Sequence, residues 1–231
     1  LKKILNKINT FVSRMMDNQQ QNNYKSHTAE LLLKLKAVKL NPSFPFIWAS
    51  GWKSPIYCDN RIILSYPETR SFITTQICKK INTFYKKPDV IAGVATGAIG
   101  IGALVANLLE LPFIYVRTSA KKHGRMNQIE GAFSKGQSVV VIEDLISTGR
   151  SSLMAVDALR NAELKINGMV GIFSYGFPIS NKNFKASNVE LKTLSSYDIL
   201  LEQALDSNYI DSKEHEVLLD WKKDPENWKI K

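Results

Sequence analysis

Residues 139–152, which read VVVIEDLISTGRSS, constrain the fold more than any other stretch of the chain. The stretch opens with four apolar residues, three of them consecutive valines, and this pattern predicts a fully buried strand. Two adjacent carboxylates, Glu143 and Asp144, come next, followed by a loop of small and hydroxyl residues at the start of a predicted helix. Loop amides and a helix N-terminus attract phosphate, and carboxylates accept hydrogen bonds from ribose hydroxyls. The stretch therefore indicates a site for a phosphorylated sugar, with the acids beside the phosphate.

The rest of the chain alternates strands with helices, which predicts an α/β fold with a mainly parallel central sheet flanked by helices. Besides the strand at 139–142, strands are expected at 89–95, 111–117, 169–175 and 189–194. Three loops, at 95–102, 117–136 and 143–152, each follow a predicted strand. Ligands of such folds bind at the carboxyl ends of the strands, so the three loops are expected to converge on one edge of the sheet.

Length and composition favour one large domain with a single substantial core, because the chain has 231 residues of which 44% are hydrophobic. The net charge of +10 favours anionic partners. We expect no membrane partner, since no apolar run approaches 18 residues. We also expect no nucleic-acid partner, because no recognisable binding module is present. Cys58 and Cys78 lack the spacing of a metal site, which favours a reduced, cytoplasmic protein.

Residues 1–25 are expected to be a disordered or non-native extension, followed by a single folded domain at 26–231. The first fourteen residues carry four basic side chains and no acid. They suit either an organelle transit segment or a translated stretch upstream of an initiator at Met15 or Met16. The polar, low-complexity sequence DNQQQNNYKS that follows is typical of a disordered lead-in.

The long loop at 117–136 has neither helical nor strand periodicity, and loops of that length are usually functional or disordered. Its basic and histidine side chains lie at one end, and its glycines are spaced as hinges: Arg117, Lys121, Lys122, His123 and Arg125, with Gly124, Gly131 and Gly136. This content predicts a lid that closes over a polyphosphate. The alternative is an ordinary solvated charged loop.

Residues 41–61, here called the hood, are rich in proline, glycine and aromatic side chains. Residues 46–48 and 55–57 predict two short extended arms around a turn. Lys53 and Arg61 lie among the aromatic residues, an arrangement that suits a flat anion held by stacking and charge. The alternative is a plain hairpin with packed aromatic side chains.

These stretches resemble a known family. VVVIEDLISTGRSS resembles the phosphoribosyl-pyrophosphate signature of type I phosphoribosyltransferases, which purine, pyrimidine and regulatory members share. FIWASGWKSPIYCDNR resembles the hood of orotate phosphoribosyltransferases, and YVRTSAKKHGRMNQIEG resembles their flexible catalytic loop. The resemblance runs from about residue 26 to residue 205. It implies the type I phosphoribosyltransferase fold with a small N-terminal hood and a flexible catalytic loop.

The resemblance also implies a reaction. The 5-phosphoribosyl group passes from phosphoribosyl pyrophosphate to orotate, giving orotidine 5′-monophosphate and pyrophosphate in de novo pyrimidine (UMP) biosynthesis. Mg²⁺ is the implied cofactor, held mainly by the substrate and not directly by the protein. The implied assembly is a homodimer in which each catalytic loop closes over the neighbouring subunit's site.

Carried over residue by residue, the resemblance assigns catalytic roles to Lys53, Lys121 and His123. Arg117, Lys121 and His123 would reach the pyrophosphate, while Glu143 and Asp144 would hold the ribose hydroxyls. The 5′-phosphate would be wrapped by the backbone amides and hydroxyls of Leu145, Ile146, Ser147, Thr148, Gly149, Arg150 and Ser151. Ser147 and Lys53 would also contact orotate.

The chain departs from the family's pattern at three points. No arginine lies between Gly168 and Lys192 to bind the orotate carboxylate, which leaves its anchoring to the hood and Ser147. Thr118 stands where some members carry a second basic residue, so one pyrophosphate contact is missing or comes from Lys122. Arg150 replaces a residue that is often small, and both a phosphate contact and a solvent-facing position stay open for it.

Two other functions compete with orotate transfer. A phosphoribosyltransferase for another nucleobase would keep the 139–152 signature but should lack the hood. A phosphoribosyl-pyrophosphate-sensing regulator is the less favoured alternative. It would account for the basic N-terminal residues, but not for a lid that carries lysine and histidine.

Overall fold

The computed structural model of the protein describes residues 23–48, 51–117 and 128–229. Residues 23–34 form helix α1. The helix includes residues 23–25, which the sequence assigns to the extension, so regular structure starts earlier than expected. Within the described ranges, no helix is long and apolar enough to cross a membrane.

Three short strands of the hood and one strand just before it form two separate antiparallel pairs. The preceding strand is β1 (Val38–Leu40), and the hood strands are β2 (Phe46–Ile47), β3 (Lys53–Ser54) and β4 (Ile56–Cys58). Strand β2 pairs with β3, whereas β4 pairs with β1. The two predicted arms, at 46–48 and 55–57, contain strands β2 and β4, but these strands take different partners and do not pair with each other. Pro55 lacks an N–H group and separates β3 from β4, which lets the two strands take different partners.

The remaining elements alternate between helices and strands as the sequence predicts. They are a 3-10 helix at Asn60–Ser65, α2 (Pro67–Phe84), β5 (Val90–Val94), α3 (Ile99–Leu109), β6 (Phe113–Val116), β7 (Ile129–Glu130), β8 (Ser138–Ile146), α4 (Arg150–Asn161), β9 (Lys165–Ser174), α5 (Pro178–Ala186), β10 (Leu191–Ser196), α6 (Tyr197–Asp206) and α7 (Ser212–Lys223). All five strands that the sequence predicts for the sheet are present. Strand β7 and helix α5 were not anticipated.

A six-stranded sheet forms the centre of the fold, with the strand order β10-β9-β8-β5-β6-β7. Its first five strands are parallel, and only β7 runs antiparallel, beside β6. The predicted mainly parallel sheet is therefore confirmed. Since β5, β6 and β8 are neighbours with the same direction, the loops that follow them leave the sheet at one edge.

Strand β8 runs through the middle of the core. Val140 and Ile142 pack into the hydrophobic cluster that includes α2, α3, α6 and α7, while Val139 and Val141 pack into the cluster that includes α4 and α5. All four side chains are fully buried, as the sequence predicts. Helices cover both faces of the sheet, which explains why the strand reads as a continuous apolar run.

Helix α7 returns the chain to the hood. Its Trp221 is fully buried and makes ring contacts with Trp48, Tyr175, Phe177 and Tyr197. This aromatic cluster joins the hood, the end of β9 and the C-terminal helices. Trp221 thereby holds the C-terminal helix α7 against the body of the protein.

Candidate active site

Two of the three predicted loops meet at the carboxyl edge of the sheet. Gly97, in the loop after β5, lies against the carboxyl group of Asp144 so closely that a Cβ at Gly97 would overlap it. The peptide bond between Ala95 and Thr96, in the same loop, is cis. Because Gly97 has no side chain, the carboxyl group of Asp144 fits against the loop, which explains the glycine at this position. The predicted convergence of loops 95–102 and 143–152 is confirmed.

Glu143 is the buried member of the acidic pair. It lies within β8, which extends to Ile146, and its side chain is only 4% exposed. Its carboxylate accepts a 2.7 Å hydrogen bond from the Ser152 hydroxyl and a 3.1 Å bond from the Asp144 amide. Burial, and then the negative charge of Asp144, raise the pKa of Glu143 well above its ordinary value. Glu143 is therefore a fixed group whose ionised form is costly.

Asp144 is partly exposed, and its backbone is held from the hood side. The side-chain amide of Asn60 donates a 2.6 Å hydrogen bond to the Asp144 carbonyl. Asn60 is itself oriented by the Cys58 thiol, which lies 3.4 Å from its Oδ1. The backbone of Asp144 is thus fixed, while its partly exposed carboxylate lies between Gly97 and Glu143 at the edge of the sheet.

Residues 147–151, here called the phosphate loop, follow β8 and include the first two residues of α4. Gly149 adopts a left-handed conformation with φ of 78° and precedes the first residue of α4. The Asn183 side chain donates a 3.0 Å hydrogen bond to the Thr148 carbonyl, and Phe184 packs against Gly149. Helix α5 therefore supports the loop from behind, with Ser147 and Thr148 partly exposed on it.

The other residues predicted to wrap the 5′-phosphate are either packed in the core or exposed at the start of α4. Ile146 is fully buried, and its carbonyl accepts a 3.0 Å hydrogen bond from the Tyr175 amide. Leu145 is partly buried against the core. Their side chains therefore face the protein, which leaves them only backbone roles. Arg150 and Ser151 are exposed at the start of α4, and the Arg150 amide lies 3.5 Å from the Thr148 hydroxyl.

The hood presents Lys53 as an exposed side chain on a fixed backbone. The indole N–H of Trp221 donates a 3.2 Å hydrogen bond to the Lys53 carbonyl. Arg61 is engaged with Asp59, whose two carboxylate oxygens accept bonds of 2.7 and 2.9 Å from its guanidinium. These hydrogen bonds lower the pKa of Asp59. Lys53 is therefore the freer of the two hood cations.

The two ends of the long loop are joined by the antiparallel pairing of β6 with β7, and we call this connection the hairpin. At its base the Arg117 amide donates to the Gln128 carbonyl, and the Gln128 side chain donates to the Arg117 carbonyl, both over 2.9 Å. Lys121, Lys122, His123 and Arg125 lie outside the described residues. Gly131, which the sequence predicts as a hinge, packs against Ile114 of β6, where a Cβ would approach to 2.9 Å.

The described residues offer few ligands for a metal. They contain no cluster of three or more histidine, cysteine or acidic side chains with the geometry to hold an ion. Asp144 and Glu143 are the acids at the site, and only Asp144 is partly exposed. Carboxylate oxygen suits Mg²⁺, but one accessible carboxylate does not fill its six positions. The donor set therefore fits an ion that takes most of its ligands from a bound substrate or water.

The model of the phosphoribosyl transferase domain family matches residues 64–190. The orotate phosphoribosyltransferase of Porphyromonas gingivalis is 52% identical over 202 residues, which cover 87% of this chain and 96% of that protein. The solved structure of orotate phosphoribosyltransferase from Aeropyrum pernix matches with a TM-score of 0.69 at 26% identity, over 79% of this chain and 99% of that one. The structure of Leishmania donovani UMP synthase matches with a TM-score of 0.74 at 26% identity, over 86% of this chain but 42% of that one. This chain therefore spans less than half the length of the Leishmania protein.

Proposed function

The chain belongs to the orotate phosphoribosyltransferase family, and from that premise we propose how its residues divide the work of the reaction. The reaction transfers the 5-phosphoribosyl group of phosphoribosyl pyrophosphate to orotate, in pyrimidine nucleotide synthesis. The main support for this assignment of roles is the fixed position of Glu143 and Asp144 directly before the phosphate loop. Asn60 and Ser152 hold the two acids, and α5 holds the loop, so ribose and 5′-phosphate would meet preformed partners.

The sugar half of the substrate would lie across the end of β8. Asp144 and Glu143 would accept hydrogen bonds from the ribose hydroxyls. The amides and hydroxyls of residues 147–151, at the N-terminus of α4, would bind the 5′-phosphate. The separation of the acids from the phosphate along the chain avoids repulsion between like charges.

The base half of the site is assigned to the hood and Ser147. Lys53 is exposed beside the aromatic cluster, and its carbonyl is held by Trp221, so its charge would face the anionic orotate. Ser147 is the partly exposed hydroxyl residue at the start of the phosphate loop. These two residues would supply the contacts that other members obtain from an arginine after the strand equivalent to β9.

The leaving group requires positive charge. Loss of pyrophosphate from C1 builds positive charge on the ribose ring and negative charge on the departing oxygens. Arg117, Lys121 and His123 are assigned to the pyrophosphate, with Lys121 and His123 near the tip of the hairpin that β6 and β7 support. When bound, Mg²⁺ would neutralise part of the same charge, held mainly by the substrate and beside Asp144. A closed hairpin would also exclude water from the cationic ring.

We assign the protein to the cytoplasm, because Cys58 and Cys78 are both free thiols. We also propose that it acts as a homodimer in which the hairpin of one subunit covers the site of the other. Arg117 and Gln128 hold the two ends of the long loop together at the edge of the sheet, which supports this proposal.

The activity is tested by following orotate consumption spectrophotometrically with phosphoribosyl pyrophosphate and Mg²⁺, beside adenine, hypoxanthine and uracil. We expect turnover with orotate alone. Activity confined to another base would overturn the assignment. Lys121→Ala should lower kcat by about 100-fold, since such a contact contributes roughly 2–4 kcal/mol in the transition state. Lys135→Ala is the matched control, because Lys135 is exposed and pairs with Glu163 on the surface.

The shared site is tested by mixing two inactive variants, Lys121→Ala and Asp144→Asn. Random reassembly makes half of the dimers hybrids, and each hybrid carries one site with both native residues. If the hairpin acts on its neighbour, the mixture regains about one quarter of the native activity. If each hairpin serves its own subunit, the mixture stays inactive.

A further inference from the structure

We propose that the protein has a second anion site, separate from the active site, that binds the phosphate group of a small phosphorylated molecule. A cavity of about 330 Å³ lies between the start of α1, the end of α2 and the edge strand β10. Three lysines and three hydroxyl side chains on its wall carry the argument: Lys25, Lys80 and Lys192, with Tyr24, Ser195 and Ser196. We call this cavity the lysine pocket.

Lys80 is the centre of the lysine pocket and an unusual residue to bury. It is only 7% exposed, and its ammonium group donates a 2.7 Å hydrogen bond to the Tyr24 hydroxyl. The same ammonium lies 4.9 Å from the centre of the Tyr24 ring and 5.4 Å from that of Phe84. Within the described ranges, no carboxylate pairs with it. A buried cation that lacks a carboxylate partner is costly unless an anion joins it.

The neighbouring lysines add to the positive charge. Burial, and then the charges of Lys25 and Lys192, lower the pKa of Lys80 to about 8. Lys192 lies 4.5 Å above the Phe84 ring and pairs with Glu190 over 2.8 Å. Glu190 does not line the pocket, and none of the lining residues is acidic. Glu190 thus balances Lys192 from outside the pocket, whereas the pocket wall offers no acidic side chain to balance Lys25 or Lys80.

Ser195 supplies an independent sign of a missing partner. Its side chain is 1% exposed and lines the pocket, yet its hydroxyl finds no hydrogen-bond partner among the described residues. Buried hydroxyls are nearly always satisfied, because leaving one unpaired costs free energy. Beside it, Ser196 precedes the first turn of α6 without capping that turn by its side chain. A phosphate could accept hydrogen bonds from the hydroxyl of Ser195 and balance the charge of Lys80.

The position and size of the lysine pocket define the ligand class. Strand β10 is the outer strand of the sheet, and none of the pocket residues belongs to the loops at 95–102 or 143–152. Its volume is near the lower limit of about 300 Å³ for small-molecule sites, which suits inorganic phosphate or one phosphorylated metabolite. Lysine ammonium groups bind phosphate oxygens as point charges and do not need the forked geometry of arginine.

Isothermal titration of the full chain with inorganic phosphate at pH 7 tests the proposal. The native protein should show two classes of site, one at the phosphate loop and one at the lysine pocket. Lys80→Met keeps the length of the side chain and removes its charge, so affinity at one class should fall about tenfold or more. Ser195→Ala should weaken the same class, and its smaller change guards against misfolding of the lysine variant. Orotate turnover should stay at the native level in both variants.

Lys79→Met is the matched control, because Lys79 is an exposed neighbour on α2 and the net charge changes equally. It should leave both classes of site unchanged. Uridine monophosphate serves as a second probe: tighter binding than phosphate at the Lys80-dependent class identifies a nucleotide, and equal binding identifies the phosphate alone. Identical isotherms for the native protein, Lys80→Met and Lys79→Met would overturn the proposal.

Discussion

Asn60 and Asp144 are 84 residues apart in the chain, and a 2.6 Å hydrogen bond joins the side-chain amide of the first to the carbonyl of the second. Asn60 is 1% exposed, so water does not compete for this bond. The contact joins the 3-10 helix that begins at the end of the hood to the acidic pair of β8. The ribose and base halves of the proposed site are thus joined through one buried side chain.

Asn60→Ala removes that connection. We expect the free energy of unfolding to fall by about 1–3 kcal/mol, because the Asp144 carbonyl loses a buried donor. We also expect kcat/KM for phosphoribosyl pyrophosphate to fall about tenfold, since Asp144 would lose its fixed position. Asn167→Ala is the control, because Asn167 makes a similar bond to the Lys86 carbonyl at an exposed position. Denaturant unfolding and steady-state kinetics measure both effects, and equal losses in the two variants would contradict the special role of Asn60.

The strands and acids of the site could be read from local sequence, but the groups that hold them could not. The run of valines before Glu143 predicts a buried strand by its composition alone. Asn60 belongs to a segment with no periodic pattern, and nothing in one sequence links it to Asp144. Asn183 and Phe184 escaped notice for the same reason, since α5 is short and its contact with the phosphate loop exists only in the folded protein.

The buried state of Glu143 predicts a dependence of stability on pH. Its folded-state pKa is raised above the ordinary value of 4.5, first by burial and then by the charge of Asp144. An acid of this kind contributes stability below its unfolded pKa, and that contribution is lost as the pH rises through its folded pKa. Glu143→Gln removes the ionisation, so its melting temperature relative to the native protein should rise from pH 4 to pH 8, while activity falls.

The exposed residue Glu202 provides the control for that measurement, because Glu202→Gln makes the same chemical change outside the core. Its melting temperature should follow that of the native protein at every pH. Scanning calorimetry at pH 4, 6 and 8 compares the three proteins. If the Glu143→Gln protein instead loses stability relative to the native protein as the pH rises, the site stabilises the ionised carboxylate and the prediction is wrong.

Gly149→Ala should destabilise the phosphate loop for two reasons. The residue has φ of 78°, which side chains adopt at a cost, and a Cβ there would lie 2.6 Å from the Phe184 ring. We expect the two effects together to lower the free energy of unfolding by about 2–4 kcal/mol. Gly136→Ala isolates the first cause, because Gly136 has φ of 84° and nothing within 4 Å of the added Cβ. The free energy of unfolding of the Gly136→Ala variant should therefore fall by only about 1 kcal/mol.

A double-mutant cycle separates the clash from the backbone cost. Phe184→Leu should recover part of the stability that Gly149→Ala loses, with a coupling of about 1 kcal/mol or more between the two positions. Urea unfolding of the native protein, the two single variants and the double variant gives this coupling. Additive effects would mean that the alanine methyl group and the ring avoid each other by a small shift.

The hood and the long loop show where pattern reasoning fails for short strands. Two-residue strands such as β2, β3 and β7 are too brief to display alternation, so only their partners define them. Pro55 was assigned to the second arm of the hood, and the sequence does not tell which arm pairs with β1. Gly131 was predicted as a hinge because glycine is a flexible residue. Its close contact with Ile114, which leaves little room for a side chain, exists only in the folded protein.

Trp221→Phe tests whether α7 positions the hood lysine. The change keeps an aromatic ring in the cluster but removes the hydrogen bond to the Lys53 carbonyl, so stability should fall by about 1–3 kcal/mol. KM for orotate should rise several-fold, because the backbone of Lys53 would be less fixed. Tyr197→Phe is the matched control, since it removes a buried 3.0 Å bond to the Leu218 carbonyl in the same cluster without contact to the hood. Both variants should lose stability, but only Trp221→Phe should raise KM for orotate. A rise in KM for orotate in both variants would instead indicate a general loosening of the aromatic cluster.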